Sequence, residues 1–288
     1  MVLGLKWRPL HAIDQTRFRE ARLQAHYAVQ WLARTARAYI PPRPDDSHTS
    51  LSWDRALDGF MTHPLRDGTR LSLQVPNLKL ALHEDRGPAE IHSLALSGRS
   101  EKAVREWLGE LFGARGLDAR ALDASSPYEI PTHAIAQGAT YNLIGSKDAL
   151  AELDAWFDNA DLLLGQIQKQ MIGRKCAASP VCCWPHHFDL ATSTTLPTRA
   201  PQATGYLGVG LSPGDEYYDE PYFYVSVYPD PDSATLQSLP KLGHWHTHEF
   251  TAAVMPAHKL IIARDQKVET DDFLKAAVTA AIGAIRCR

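Results

Sequence analysis

The sequence holds few cysteines, and this scarcity bears on the compartment. Four of its 288 residues are cysteine, none of them in a C-x-x-C pair: Cys176, Cys182, Cys183 and Cys287. Three of the four crowd into one short stretch, which is not the spacing of a secreted disulfide framework. A chain of this length also buries enough surface to fold without disulfides or metal staples. We therefore expect reduced thiols and a cytoplasmic protein.

Long apolar runs and a basic charge balance are also absent. The sequence has no run of about 18 apolar residues, as a membrane-spanning helix requires, and its first residues hold no signal-peptide core. The formal net charge is −3 at pH 7, whereas a general nucleic-acid binder normally carries a strongly basic face. We therefore expect neither a membrane nor nucleic acid as a partner. A small-molecule ligand or substrate and a second copy of the chain stay open.

The standard nucleotide-binding and hydrolase motifs are missing. The sequence contains no P-loop, no G-x-S-x-G elbow and no H-E-x-x-H. The stretch "GYLGVG" (205–210) has its glycines in the wrong order for a dinucleotide fingerprint, and its composition favours a strand. No repeat of about 20–50 residues is present. Function therefore has to be argued from individual residues.

Apolar residues that recur every three or four positions predict amphipathic helices. The predicted helices span about 14–40, 100–113, 146–173 and 270–285. Ser100 and Ser146 are suited to cap the second and third of them, and the prolines at 41 and 42 end the first. The polar face of the first helix carries arginines that either lie in solvent or meet phosphates: Arg17, Arg19, Arg22, Arg34 and Arg37.

Stretches rich in β-branched and aromatic residues predict strands between these helices. They cover 70–76, 78–83 and 89–96 in the first half, and 187–196, 204–212, 222–229 and 244–255 in the second, with "HKLIIA" (258–263) as a further strand. Strands in runs, with helices grouped separately, favour an α+β fold with antiparallel sheets and long flanking helices. We predict two lobes. Residues 1–145 hold the first long helix, a small sheet and a helix, and residues 146–288 hold the second long helix, an aromatic, histidine-rich sheet and the closing helix.

Histidines are concentrated in "WPHHFDLA" (184–191) and "GHWHTHEF" (243–250). Alternation along a strand over 244–248 places His244, His246 and His248 on one face, with Cα atoms about 6.5–7 Å apart. The same alternation over 186–189 places His187 beside Asp189. A candidate metal-ligand set follows: His187, Asp189, His244 and His246. Imidazole with carboxylate suits Zn²⁺, Fe²⁺ or Mn²⁺. The alternative is that these side chains make only structural hydrogen bonds.

The stretch "LSPGDEYYDEPYFYV" (211–225) supplies acidic and aromatic candidates. Its first part, Ser-Pro-Gly-Asp from 212 to 215, is typical of a tight turn. A carboxylate among aromatic rings has a raised pKa and can act as a base, so Asp215 or Glu216 is the candidate to activate a metal-bound water. The alternative is a solvated acidic loop. The candidate ligand pocket combines the following residues: Trp184, His186, Tyr222, Tyr224 and Trp245.

Cysteine chemistry is a further alternative, because Cys182 and Cys183 lie close in sequence to His186 and His187. A reactive thiolate needs a basic or dipolar environment, which the sequence does not specify. Unpaired cysteines are more commonly buried as small hydrophobic residues.

Several of these motifs resemble a family of bacterial proteins known only as a domain of unknown function. The most specific are "WPHHFDLA" (184–191) and "GLSPGDEYYDEPYFYVSVYP" (210–229), joined by "GHWHTHEFTAAVM" (243–255). In the first half, "LSWDRALDGFMTHPL" (51–65) and "LSLQVPNLKLAL" (71–82) are also similar. The resemblance covers nearly the whole chain. It implies one full-length bacterial, cytoplasmic unit and carries over no activity or catalytic residue.

Three functions follow from these residues. The first is a metal-dependent hydrolase, with the histidine and aspartate ligands between strands 184–190 and 243–250. The second is a non-catalytic protein that binds a small molecule in an aromatic pocket. The third is a scaffold or homo-oligomer built on the two long helices. Substrate, reaction and pathway lie beyond the sequence.

Overall fold

The structure is a computed structural model that describes residues 6–84, 89–197 and 204–286. It contains α-helices and two antiparallel sheets, which confirms the predicted α+β class. The chain divides into two compact units. Unit I is Ile13–Asp154 with Cys183–Phe188, and unit II is Met1–Ala12, Ala155–Cys182 and Asp189–Arg288. Across the described ranges, no helix has the length and apolar character needed to cross a membrane.

The helices are α1 Gln15–Tyr39, α2 Glu101–Gly113, α3 Lys147–Gly173, α4 Ala257–Leu260 and α5 Gln266–Arg286. The four helices predicted from periodicity are therefore confirmed, and α4 was not predicted. The N-terminus of α1 is capped by Asp14, whose Oδ1 accepts the amide of Arg17 at 3.0 Å. Ser100 caps α2 as predicted, because its Oγ accepts the amide of Ala103 at 3.3 Å. Ile40 is extended before proline and ends α1.

The sheet of unit I is an antiparallel meander of five strands in chain order. Its strands are β1 Ser52–Asp54, β2 Gly59–Met61, β3 Thr69–Gln74, β4 Lys79–Glu84 and β5 Glu90–Ala95. The last three match predicted strands, whereas β1 and β2 are too short to show a period of two. Helix α1 packs against β3 and buries large side chains such as Trp31 and Leu32. Each such side chain contributes about 1.5–3 kcal/mol to folding.

The remaining strands follow α3. They are β6 Ala177–Ala178, β7 Cys182–Trp184, β8 Asp189–Pro197, β9 Thr204–Ser212, β10 Tyr222–Tyr228, β11 His244–His246 and β12 Ala252–Pro256. The sheet of unit II has the order β11-β12-β10-β9-β8-β6, and its paired neighbours are antiparallel. In unit I, Cys183 exchanges both backbone hydrogen bonds with Leu51, at 2.7 and 3.0 Å.

The two faces of the unit II sheet differ in polarity. On β10, Phe223, Val225 and Val227 point to one face, which is mostly apolar and receives Trp156 of α3 against Phe223. Helix α5 lies along β9, β10 and β12. The other face carries side chains that are paired across the strands and therefore lie side by side: His244, His246, Tyr222, Tyr224, Ser226 and Ser212. Of the predicted unit II residues, His244, His246, Tyr222 and Tyr224 lie on this polar face.

Three strand predictions need correction. Residues 258–263 form α4 and a turn, because one helical turn buries Leu260 and leaves Ile262 83% exposed. Residues 185–188 form a turn in which Phe188 has a φ of 58° and the carbonyl of Trp184 accepts two amides. Alternation therefore does not relate His187 to Asp189. Strand β11 ends at His246, so His248 lies outside it.

Candidate functional site

Tyr218, His244 and His246 form a compact group in unit II, which we call the tyrosine–histidine cluster. The register of β11 and β12 places both histidines on the polar face, as predicted for a strand over these positions. The Tyr218 hydroxyl lies 3.0 Å from Nε2 of His244 and 3.1 Å from Nδ1 of His246. Two imidazole nitrogens therefore converge on one oxygen atom.

The second ring nitrogen of His246 fixes its tautomer. Nε2 lies 2.7 Å from the carbonyl oxygen of His248, and a carbonyl can only accept, so Nε2 carries the proton. In the neutral ring, Nδ1 then carries no proton, and its lone pair faces the Tyr218 hydroxyl. The ring stacks on Phe250 with centroids 4.2 Å apart and meets the edge of Tyr217. Packing and hydrogen bonding together hold this imidazole in place.

Burial sets the charge state of the cluster. It lowers the pKa of His244, and the positive charges of Lys259, His246 and His258 lower that pKa further. Burial also raises the pKa of Tyr218, with the carboxylate of Asp215 acting in the same direction. Around neutral pH the cluster therefore holds a neutral imidazole at His244 and a protonated phenol at Tyr218.

The carboxylate of Asp215 accepts hydrogen bonds from residues that follow it closely in the chain. Its Oδ1 accepts the amides of Tyr217 and Tyr218 at 2.9 and 3.1 Å, and its Oδ2 accepts the hydroxyl of Tyr222. Gly214 takes a φ of 118°, which favours glycine at this turn. This geometry favours a structural role for Asp215, which orients Tyr218 toward the histidines. Glu216, the other candidate base, is exposed.

Asp189 is bonded by Tyr224 across the polar face. Tyr224 lies on β10 and Asp189 begins β8, and the hydroxyl of Tyr224 donates to Oδ2 of Asp189. The ring reaches over the intervening strand at Gly210, where a Cβ would come within 2.5 Å of its atoms. Burial and the Asp189 carboxylate raise the pKa of Tyr224 well above its usual range. The phenol therefore stays a hydrogen-bond donor.

The predicted metal ligands do not assemble as a set. Within residues 6–84, 89–197 and 204–286, no group of three or more His, Cys, Asp or Glu side chains is arranged to hold a metal ion. Of the four predicted ligands, the structure brings His244 and His246 together, and it assigns His187 to unit I and Asp189 to unit II. The third group at the paired histidines is a phenol rather than a carboxylate.

A second centre lies in unit I, in a partly enclosed cavity of about 190 Å³ that we call the arginine pocket. Helix α1 supplies one stripe of its lining at helical spacing: Tyr27, Gln30, Arg34 and Arg37. Glu101 of α2 and the 126–136 segment complete it, with Ser126, Tyr128, Ile130 and Ala136. An adjoining cavity of about 350 Å³ shares Arg34, Glu101 and Ser126 with it. Ligand sites commonly measure about 300–1,000 Å³, so the adjoining cavity falls within this range and the arginine pocket below it.

The two arginines of this pocket are held by aromatic rings. The guanidinium carbon of Arg34 lies 4.7 Å from the Trp31 ring centroid, and that of Arg37 lies 5.6 Å from Tyr128. Tyr128 is itself fixed, because its hydroxyl donates to Oε1 of Gln30 at 2.9 Å. Nη1 of Arg37 is buried and has no hydrogen-bond partner in the described part of the chain. Arg37 thus brings to the lining of the pocket a positive charge and an N–H donor that makes no hydrogen bond to the described residues.

Glu101 is the acidic group of the arginine pocket. Its Oε1 accepts the indole N–H of Trp31 at 2.9 Å and the hydroxyl of Tyr141 at 2.8 Å, while Oε2 lies 3.7 Å from Arg34. Burial raises the pKa of Glu101, and the hydrogen bond from Tyr141 and the charge of Arg34 act against that rise. A carboxyl in this environment is suited to exchange a proton with a bound molecule.

A family model described as a family of unknown function, DUF5996, matches residues 9–286. The chain belongs to this family. The match confirms the resemblance noted in the sequence and shows that it extends over nearly the whole chain. The comparisons found no matching curated protein and no matching solved structure.

The other predicted pocket residues of this DUF5996 member are dispersed. Trp184 and His186 belong to unit I, where the ring of His186 packs against His187 with centroids 4.1 Å apart. Trp245 donates its indole N–H to the carbonyl of Gln237 at 2.8 Å. Tyr222 and Tyr224 lie together on the polar face of unit II, with centroids 6.1 Å apart. Cys182 and Cys183 are buried, and Cys287 lies outside the described residues.

Sequence reasoning did not identify the arginine pocket of the DUF5996 member. Arg34 and Arg37 were noted only as part of a basic helix face, and Glu101 and Tyr128 were not singled out. A usable signal was present, because Tyr27, Gln30, Arg34 and Arg37 follow each other at intervals of three and four. Two aromatic residues, Tyr27 and Trp31, lie among these polar positions, which distinguishes this face from one that carries only charged residues.

Proposed function

We propose that the protein binds a small organic anion, a carboxylate with an apolar or aromatic body, in the arginine pocket of unit I. The observation that carries this proposal is Arg37, which lines the pocket beside Tyr128 and whose buried Nη1 makes no hydrogen bond within the described residues. Leaving a buried donor unsatisfied costs about 1–3 kcal/mol, and more for a charged group. A carboxylate oxygen that accepts from Nη1 would recover that free energy.

The charges at the pocket match a singly charged ligand. Arg34 and Arg37 contribute two positive charges, and the Glu101 carboxylate, when ionised, offsets one of them. The planar guanidinium fork also suits a carboxylate, because two parallel N–H groups can meet its two oxygens. A monocarboxylate therefore fits the balance of charge better than a doubly charged phosphate.

The walls of the pocket favour an apolar or aromatic body on that anion. Tyr27 and Tyr128 present ring surfaces, and Ile130 and Ala136 present aliphatic ones. Gln30 and Ser126 supply polar groups that can orient a ligand. This proposal corresponds to the small-molecule-binding function expected as an alternative from the sequence, at different residues. Metal-dependent hydrolysis remains a prediction for unit II.

Ligand binding by the full-length, tag-free chain tests the proposal. Thermal unfolding and isothermal titration calorimetry would compare benzoate with benzamide, its neutral isostere, and with phenyl phosphate. We expect benzoate to bind and to raise the melting temperature, because a ligand that binds only the folded state stabilises it by mass action. Phenyl phosphate should bind more weakly than benzoate, and benzamide should not bind.

Two results would overturn the proposal. One is equal binding of benzoate and benzamide, which would show that the charge is not recognised. The other is no detectable binding of benzoate, phenylacetate or an aliphatic carboxylate at roughly 10 mM, which corresponds to less than about 3 kcal/mol of binding free energy.

A further inference from the structure

The tyrosine–histidine cluster of unit II takes no part in the proposed anion binding, and the spacing of its atoms suggests a separate site. The Tyr218 oxygen lies 3.0 and 3.1 Å from two imidazole nitrogens. Two donor atoms that bind one metal ion at about 2.1 Å, with an angle of about 90–110° between the bonds, lie about 3.0–3.4 Å apart. The spacing of these atoms therefore fits neighbouring ligands of one metal ion as well as it fits hydrogen bonds.

The surroundings of His246 are those of a metal ligand. Its Nε2–H donates to the carbonyl of His248 at 2.7 Å, which leaves the lone pair of Nδ1 directed at Tyr218. Metal-bound histidines commonly donate the other ring N–H to a carbonyl or carboxylate, which fixes the tautomer and the ring orientation. Phe250 and Tyr217 cover the ring and limit its movement.

The charges around the cluster are mixed. The positive charges of Lys259 and His258 act on His244 and oppose the binding of a cation. His258 is itself paired with Glu220 at 2.6 Å. The negative charge of the Asp215 carboxylate acts on Tyr218 and favours the binding of a cation. A phenol that loses its proton on metal binding adds a further negative charge at the site. The local balance then favours a divalent ion.

We infer that Tyr218, His244 and His246 form a three-ligand centre for a divalent first-row transition metal. Tyr218 coordinates as a phenolate after releasing its proton to solvent, and the two imidazoles coordinate through Nε2 of His244 and Nδ1 of His246. Solvent water completes the coordination. This centre keeps two of the ligands predicted from the sequence and takes a phenol oxygen in place of His187 and Asp189. It is independent of the arginine pocket.

Metal binding to the chelator-treated, tag-free chain tests the inference. Zn²⁺ would be titrated by calorimetry, and Cu²⁺ would be titrated by absorption, because a copper-bound phenolate gives a charge-transfer band in the visible. The variants are His246→Asn, His244→Asn and Tyr218→Phe, with His92→Asn as the control, since His92 is an exposed histidine on β5. A melting curve for each variant establishes that it is folded.

We expect one Zn²⁺ per wild-type chain and at least about a tenfold loss of affinity in either cluster histidine variant. The visible copper band should be lost in Tyr218→Phe, and His92→Asn should behave as wild type. The inference is overturned if wild type binds Zn²⁺ no more tightly than folded His246→Asn and His244→Asn. It is equally overturned if wild type shows no copper band or if Tyr218→Phe retains it.

Discussion

At the scale of single residues, Glu101 controls the charge of the arginine pocket. It lies within 3.7 Å of Arg34 and is held by hydrogen bonds from Trp31 and Tyr141. A glutamine has the same shape, and its Oε1 can still accept from both donors. Exchanging the carboxylate for an amide therefore changes the charge of the pocket while its hydrogen bonds are kept.

The Glu101→Gln variant should bind an aromatic carboxylate more tightly than wild type. Removing one negative charge about 5 Å from the bound anion is worth about 1 kcal/mol in a well-screened site, or roughly fivefold in Kd. Glu106→Gln is the matched control, because Glu106 lies on the same helix with 61% of its side chain exposed. Calorimetry would give the three affinities. Weaker binding by Glu101→Gln would contradict the assigned ligand charge.

At the scale of elements, Gly210 on β9 determines how the polar face of unit II is organised. It pairs with Tyr224, whose ring lies over it to reach Asp189. Any Cβ at this position would come within 2.5–2.7 Å of two ring carbons and the hydroxyl oxygen of Tyr224. The glycine is therefore required by the close approach of a neighbouring ring rather than by its own backbone angles.

The Gly210→Ala variant should lower the free energy of unfolding by about 1–3 kcal/mol, because the Tyr224 ring must move away from Asp189. Gly165→Ala is the control, and its free energy of unfolding is expected to change in the opposite direction. Gly165 lies in α3 with open space at its Cβ position, so alanine there should stabilise the chain by about 0.5–1 kcal/mol. Urea unfolding of both variants measures the difference. Equal effects would contradict the account of Gly210.

The elements that the sequence predicted are those with a sustained period. Helices α1, α2, α3 and α5 follow from apolar residues at intervals of three and four, and the long strands follow from their β-branched and aromatic residues. The short strands β1 and β2 have too few residues to show a pattern. The 185–188 turn was hidden because Phe188 is a residue typical of strands. Its positive φ is held by burial against His26 and Phe60.

The candidate sites were only partly predictable. Two histidines separated by one residue share a face in any strand, so the pairing of His244 with His246 followed from local geometry. Their convergence on Tyr218 did not, because it depends on a loop whose conformation Asp215 fixes, and Tyr218 in that loop is 26 positions away from His244 along the chain. The arginine pocket depends on packing between α1, α2 and the 126–136 segment, which no local pattern records.

At the scale of the whole molecule, buried histidines should make the fold sensitive to acid. Burial lowers the pKa of His26 to about 4, against an ordinary value of 6.5. Burial also lowers the pKa values of His63, His186 and His244. The unfolded chain binds protons at these histidines more readily than the folded chain does. The stabilisation of the fold by the neutral histidines is therefore complete above about pH 6.5. It is lost as the pH falls through 6.5 towards the folded pKa.

His26 alone should contribute roughly 2 kcal/mol to the loss of stability between pH 7 and pH 5. Its Nε2 donates to the carbonyl of Pro185 at 2.9 Å, a bond that the amide of a glutamine can replace. The His26→Gln variant should therefore lose less stability than wild type over this interval, whereas His92→Gln should follow wild type. Urea unfolding at the two pH values measures this. Equal losses in wild type and His26→Gln would refute the assignment.

The most direct test of the account is the affinity of benzoate for wild type, Arg37→Met and Arg66→Met, measured by calorimetry at fixed salt. Arg66 is an exposed arginine of unit I, so its replacement removes the same charge away from the pocket. We predict that Arg37→Met weakens binding at least about tenfold, because it removes a charged hydrogen bond of about 1.5–3 kcal/mol, and that Arg66→Met leaves it unchanged. Equal affinities for all three folded proteins would contradict a carboxylate site at Arg37.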